Sequence, residues 1–534
     1  MSISRISILS FLVALTAIAV NAQSSDAVVR DKITNAVMKV YDDQLAKDPK
    51  DYNTLFARAH QHYYNGEYTA ALADVNQAML LTPKTDKELR FDEHILRARI
   101  SDARQDYASE LADLRLAQEL QPKSLACTDL IAKANLKVGN YDAAEKAFKT
   151  ILRAESMNYD AMYGMALVEM GRKNPKAAME HVDKAVSLFR AEPQVYVNRA
   201  DIYNRQGDID AAVRDLIQGM EVGNGGNAVE SLFDLSDVHY DQVMRSLSDI
   251  ADKTNESGIY RYLRASIAMD HSRYGQALKD LNFIKRNRLY NTHAVYYNIA
   301  KCYLELARFD EAIVNVDQAL AMAPEQPEYY LVKSLAEYNA GEGGNFDAAW
   351  DALDRCSNMA PQYVPMLLAK ASLLMGQGQD GTALGYLNAA VANDPTDAEA
   401  LLTRALLLKK MGKKDLSAKD LNTATMLSGD MLNLRGIALS ELGRDNEAFT
   451  WLQNLTSANN PGGSNFISAA LFMINRGDNF RALEFVQKAI ENGYGSLYKL
   501  QNDKLSTISF EPLRNEPEFK NIIDKAVRNF VEGD

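Results

Sequence analysis

The sequence predicts an all-α solenoid of about twelve to thirteen stacked helix–turn–helix repeats. Two registers of small residues and one of turn glycines carry this reading. With Tyr52 as position 1 of a 34-residue unit, position 8 is filled by Ala59, Ala98, Ala132, Ala166, Ala200, Ala265, Ala300, Ser334, Ala371, Ala405, Gly436 and Ala470. Position 20 reads Ala71, Glu110, Ala144, Ala178, Ala212, Ala277, Ala312, Ala349, Ala383, Ser417, Ala448 and Ala482. Two helices that cross closely need small residues where they meet. Gly66, Gly139, Gly207, Gly378, Gly412, Gly443 and Gly477 fall just past the first helix, where a left-handed residue ends it. Six of the eleven intervals at position 8 are 34 residues, a register that a single Ala-rich bundle would not need.

Taken in order, residues 1–22 read as a signal peptide. Arg5 supplies the positive end, Ile8 to Val20 the apolar run, and Val20-Asn21-Ala22 the small-residue cleavage site. The apolar run is short for a membrane span. Residues 23–51 are expected to form a capping helix with Val28, Ile33, Val37 and Val40 along one side. Residues 52–226 hold repeats one to five, with an extended loop after Pro83 (residues 84–90). Residues 227–257 read as a degenerate sixth repeat that is helix-like but lacks the turn glycine, preceded by a joint at Gly223–Gly226. Residues 258–492 hold repeats seven to thirteen, with an insertion at Gly341–Asn345. Pro83, Pro122, Pro324, Pro361 and Pro395 close repeats where a missing N–H does no harm. Tyr68, Tyr107, Tyr141, Tyr274 and Phe309, at position 17, are expected to plug the gap to the next repeat. Residues 493–534 supply Phe510, Leu513, Phe519, Ile522 and Ile523 for a C-terminal cap, as the open end of a solenoid requires.

The 34-residue register, with small residues at 8, 20 and 27, an aromatic near 17 and Pro near 32, resembles the tetratricopeptide repeat. The tail Asn502-Asp503, Leu505, Leu513-Arg514 and Pro517-Glu518-Phe519 resembles one that often follows such arrays. The Asn-Ala-Gln at the cleavage site resembles exported proteins of the Bacteroidetes. The repeat resemblance implies a right-handed superhelix whose concave face is lined by the first helix of each repeat and binds extended peptides or helices. On that footing the candidate groove residues are Phe56, Tyr163, Tyr262 and Tyr297 at position 5, Asn198 and Asn298 at position 6, His60, Arg99, Lys133, Asp201 and Lys301 at position 9, and Tyr63 at position 12. Aromatic and cationic groups suit a peptide with apolar and acidic side chains. The family's clamp for a C-terminal carboxylate needs Lys and Asn at set positions of three consecutive repeats, and no three supply it.

Nothing supports catalysis. Gly376, Gly378 and Gly381 spell a dinucleotide fingerprint but lie in a helix–helix turn, with no strand before them. His60 and His62, two residues apart on a helix, point away from each other and share no metal. No cofactor is expected. A net charge of -12 argues against nucleic acid as partner. Three cysteines exclude a disulfide framework; a Cys302–Cys356 bridge between neighbouring repeats is the one pairing left open. The expected function is an exported protein- or peptide-binding scaffold of the cell envelope, periplasmic or secreted. The alternatives are a carbohydrate-binding or carbohydrate-processing accessory protein, with exposed Tyr rows stacking on sugars, or a structural protein that self-assembles through its open ends.

Overall fold

A computed structural model describes residues 37–222, 225, 227–253, 257–289, 292–341, 344–427, 434–457, 462–501 and 509–530. Among them there are helices and turns and no strand. The proposed signal peptide, the residues 26–36 expected to open the capping helix, and Asn502 to Leu505 lie outside the described residues. The chain divides into two compact units, the first ending at Ser246 and the second running from Leu247 onward.

In the first unit a helix over 37–47 leads into five helical hairpins. These are Tyr52–Tyr64 with Tyr68–Leu81, Lys87–Ala103 with Tyr107–Leu120, Leu125–Lys137 with Tyr141–Ala154, Tyr159–Gly171 with Pro175–Leu188, and Pro193–Gln206 with Ile209–Glu221. The helix Ala228–Lys253 follows, broken at His239 (φ -127°, ψ 39°), where the degenerate repeat was expected. The division between units falls inside this helix, not at Gly223–Gly226. Of those four residues only Gly225 is described, and it has φ 78°.

The second unit contains seven hairpins. They are Ser257–Asp270 with Tyr274–Arg286, His293–Glu305 with Phe309–Met322, Pro327–Asn339 with Phe346–Met359, Val364–Gly376 with Asp380–Asn393, Ala398–Lys410 with Lys414–Met426, Arg435–Glu441 with Asp445–Thr456, and Gly463–Asn475 with Asn479–Glu491. The fold is therefore an all-α solenoid of helix–turn–helix repeats, five before the degenerate one and seven after it. Every residue at positions 8 and 20 is buried, Glu110 included.

The turns follow one rule. Position 15 is left-handed in all twelve described hairpins, and the seven predicted glycines have φ between 72° and 79°. Gly341 takes the same role (φ 65°), and Gln105, Lys173, Ser272 and Ala307 adopt it without being glycine. Each of those four side chains sits in a region that costs roughly 1–2 kcal/mol for an L-residue, so the hairpin overrides local preference. The position-17 aromatics open the second helices, and Tyr141 fills the space beside Gly171 of the next repeat, where an added Cβ would collide with its ring.

Two expectations are corrected. Residues 87–90 are not loop: Asp86 accepts from the Leu89 N–H and starts the helix a turn early, with Glu88 near its positive end. Val40 is 53% exposed. Leu45 instead anchors the first described helix, against Leu55 and Ala78.

A polar ladder that the small-residue register does not predict ties hairpins together. Wherever position 7 is Arg and position 23 of the same repeat is Asp, the guanidinium grips the carboxylate across the hairpin. The pairs are Arg58–Asp74, Arg97–Asp113, Arg199–Asp215, Arg264–Asp280 and Arg404–Asp420, with Nε–Oδ2 distances of 2.6–2.8 Å. A second guanidinium nitrogen reaches back to the preceding element, as Arg199 does to Asp183 at 2.9 Å and Arg404 to Asn388 at 3.2 Å. Arg58 does the same with Asp42 of the first described helix at 2.8 Å, so that helix caps the unit as a half-repeat. Lys333 and Lys370 keep the backward ion pair, at 2.6 Å to Asp317 and to Asp354, and Lys370 also lies over the Tyr386 ring at position 23, 5.5 Å away.

The tail does more than cover the last repeat. The final helix Pro517–Phe530 touches Asn479–Glu491 of repeat thirteen and also Tyr274–Arg286 of repeat seven. Ahead of it, Ser496 hydrogen-bonds Glu305 in repeat eight. Tyr498 enters the apolar cluster of Ala300, Leu304, Phe309 and Val332, edge-on to Phe309 at 6.1 Å. Gly495 abuts the Ser272 carbonyl, leaving no room for a Cβ. Phe510, Leu513, Phe519 and Ile523 are buried as predicted, and Ile522 is half-buried. The segment thus joins the last repeat of the second unit to its first two.

Two outcomes follow. Tyr498→Ala should lose about 3–5 kcal/mol and speed amide exchange in His293–Glu305, read by exchange mass spectrometry. Burial opposes ionisation of Asp113, but hydrogen bonds from His94 and Arg97 outweigh it and hold its carboxyl below the usual range. A depressed carboxylate stabilises above its unfolded pKa, and that contribution fades as pH falls through the folded value. The stability gap between wild type and Asp113→Asn, from urea midpoints, should therefore be about 2–4 kcal/mol near neutrality and narrow below about pH 4.

Candidate functional site

The twelve candidate residues, taken from first-helix positions, fall in three distinct environments. In repeats one to three, Phe56, His60 and Tyr63 are half-buried. His60 meets Phe56 edge-on at 5.0 Å, and Tyr63 lies 5.9 Å from Tyr68. Burial lowers the His60 pKa, and Arg99 adds to the effect while Asp92 opposes it. His62 is turned the other way, with Nδ1 against Glu67 and Nε2 3.7 Å from Asp74. Arg99 and Lys133 are exposed. Lys133 pairs with Asp129 at 2.7 Å, whereas Arg99 makes no hydrogen bond or ion pair among the described residues.

In repeats four and five the candidates satisfy one another. The Tyr163 hydroxyl donates to Asp201 at 2.8 Å, and Arg205 donates to the same oxygen at 2.6 Å. Burial pushes the Tyr163 hydroxyl well above its ordinary pKa, and Asp201 reinforces that. Asn198 is buried and accepts from Gln194 at 2.9 Å.

In repeats seven to nine the tyrosines turn inward. Tyr262 is 1% exposed and its hydroxyl accepts from Asn298 at 2.9 Å. Tyr297 stacks on Tyr329 at 4.2 Å, and the Tyr329 hydroxyl meets His293 Nδ1 at 2.6 Å. Lys301 lies over the Tyr297 ring at 5.8 Å. Tyr262 and Asn198 are thus corrected from ligand-facing to internal positions. The physical reason is that their side chains fill the space between neighbouring first helices and find protein partners there.

One cavity opens among the candidates. It is bounded by Lys87–Ala103, Tyr107–Leu120 and Leu125–Lys137, with Leu167 from the next repeat, and its volume is about 310 Å³. Leu114, Leu130, Leu136 and Leu167 give it an apolar lining, with Arg99, Lys133, Lys137, Asp102 and Glu110 as its polar groups. Lys137 pairs with Asp102 and stands 4.0 Å from Glu110 Oε1. Glu110 is 4% exposed, and its Oε2 has no hydrogen-bond partner among the described residues. Burial raises its pKa; Lys137 opposes the shift and Asp102 adds to it. Glu110 and Lys137 are absent from the sequence-based candidates. The signal for Glu110 was present: apart from one serine, position 20 is alanine in every other repeat.

The three cysteines are free and buried. Cys302 and Cys356 are not bridged to each other in the structure. Gly376 ends a first helix, Gly378 is the left-handed turn residue (φ 72°) and Gly381 lies in the following helix, so the glycine triplet is a turn.

Residues 130–195 match the tetratricopeptide repeat family model, and residues 189–429 match that of the coatomer epsilon subunit. A curated relative, DnaJ homolog subfamily C member 3 of Gallus gallus, is 22% identical over 306 residues, covering 52% of this chain and 60% of its own length. The match thus spans less than two thirds of that relative. Among solved structures, yeast Tom70 is 17% identical, covering 77% of this chain and 98% of its own with a TM-score of 0.36. A tetratricopeptide repeat protein from Parabacteroides merdae is 15% identical, covering 53% and 98% with a TM-score of 0.28. The repeats over residues 130–195 are thus similar to tetratricopeptide repeats. Among the described residues no helix is long and apolar enough to cross a membrane.

Because Tyr262 is internal, Tyr262→Ala should cost about 3–5 kcal/mol in the second unit. Tyr262→Phe, which keeps the ring and loses the bond from Asn298, should cost about 1 kcal/mol. Urea unfolding followed by tryptophan fluorescence distinguishes the two.

Proposed function

We propose that this protein is a non-catalytic scaffold that binds a segment of a partner protein along the first helices of repeats one to three. The observation that carries this is the leucine-lined cavity with exposed Arg99, which has no hydrogen-bond or ion-pair partner among the described residues, and exposed Lys133 at its polar side. An apolar cleft beside cationic groups suits a peptide that presents apolar and acidic side chains. The tetratricopeptide-type fold supports a protein-binding role. The leader-like residues 1–22 support export and a place in the cell envelope, where such a scaffold would assist secretion or the assembly of envelope complexes.

Carbohydrate binding is the weaker reading. It relied on tyrosine rows free to stack on sugars, and Tyr262 and Tyr297 are engaged within the protein. Self-assembly through open ends gains no support in the second unit, where the tail packs on repeat thirteen.

Affinity capture from a native envelope fraction, with cross-linking, tests the proposal. Wild-type protein should recover a discrete protein partner. Arg99→Ala with Lys133→Ala should reduce recovery about tenfold, as expected for two partly desolvated charges worth about 0.7 kcal/mol each. Recovery that is unchanged in the double variant would remove the groove assignment.

A further inference from the structure

Glu110 breaks the rule on which the repeats are built. Position 20 takes a small residue elsewhere because the second helix crosses the first there. In repeat two a carboxylate occupies the place, with its side chain buried at the wall of the 310 Å³ cavity. That volume lies at the small end of ligand pockets, about 300–1,000 Å³, and suits one large side chain.

Four leucines ask for an apolar body. Glu110 Oε2, buried and lacking a hydrogen-bond partner among the described residues, asks for an N–H or O–H at that body's end. Lys133 and Lys137 are paired with Asp129 and Asp102, but Arg99, with no ion-pair partner among the described residues, disfavours a lysine or arginine in the same space, so the donor should be neutral. Tyrosine and tryptophan are the side chains with a broad apolar face and a neutral donor tip. Arg99, exposed and without a hydrogen-bond or ion-pair partner among the described residues, favours carboxylates next to that anchor.

Resting on the groove reading above, we propose that the cavity between repeats two and three is an anchor pocket for a tyrosine or tryptophan within an acidic segment of the partner. The donor tip bonds Glu110 Oε2 and the flanking carboxylates meet Arg99 and Lys133. Glu110 thereby acts as the specificity residue, since an anchor without a donor leaves a buried oxygen unpaired.

The test uses the full chain and fluorescein-labelled acidic peptides of Asp, Glu and Gly that differ only in a central Tyr, Trp, Phe, Leu or Lys, with affinity read by fluorescence anisotropy. Tyr and Trp peptides should bind at least about tenfold more tightly than Phe, Leu or Lys peptides. Glu110→Ala restores the residue usual at position 20, so it should fold, as thermal melting verifies, and it should erase the difference. Glu110→Gln keeps an acceptor and should retain part of it. Equal affinity for Tyr and Phe on wild type, or a preference that survives Glu110→Ala, would overturn the pocket. With either result, weaker binding of all acidic peptides by Arg99→Ala would leave the groove reading standing. Failure of wild type to bind any of the peptides would also overturn the pocket, while envelope capture decides the groove separately.

Discussion

The close crossing of two helices within each repeat is the constraint on which the rest depends. Alanine at positions 8 and 20 brings the helix backbones together, and that approach sets where every other side chain can go. It draws the chain into a turn so tight that position 15 must be left-handed, even when it is Gln105, Lys173, Ser272 or Ala307. It also puts positions 7 and 23 opposite each other, within reach of a guanidinium–carboxylate pair. Because each repeat repeats this geometry, stability is distributed along the array and needs no covalent staple. Three buried free thiols accord with that.

Much of this was legible in the sequence because the crossing is enforced by residue size, and size survives in a single chain as a register. Ala59, Ala71, Gly66 and Tyr68 each state their structural role by spacing alone. The Arg–Asp ladder was equally legible in principle: Arg58 with Asp74 and Arg404 with Asp420 share one 16-residue spacing. It is hidden by the habit of reading charges on helices as solvated surface. What spacing cannot show is where a chain end returns. Nothing in Ser496 or Tyr498 names Glu305 or Phe309 as a partner, since their contact belongs to the curvature summed over seven repeats. Local capping was similarly masked at residues 87–90, where Asp86 starts a helix that the extra length of the segment suggested was loop.

The groove was the least legible part. Position along a first helix selects residues by register, but does not say whether a neighbour claims them first. Tyr163 and Asp201 were both selected, and they satisfy each other. Tyr262 and Asn298 were both selected for the same reason and with the same result. Arg99 and Lys133 remain exposed, and Lys133 has Asp129 as its partner. A buried carboxylate at the crossing point, Glu110, gives this stretch a chemical character that the other repeats lack.

The tail gives an otherwise local fold one element of high contact order. Ser496 and Glu305 are 191 residues apart in the chain. On a ribosome producing about 5–20 residues per second, repeat eight would wait roughly ten to forty seconds for its partner. Over that interval the patch around Leu304 and Phe309 that Tyr498 later covers stands open to solvent. The repeats can form one after another as they emerge, yet the second unit is completed only once synthesis has passed Tyr498.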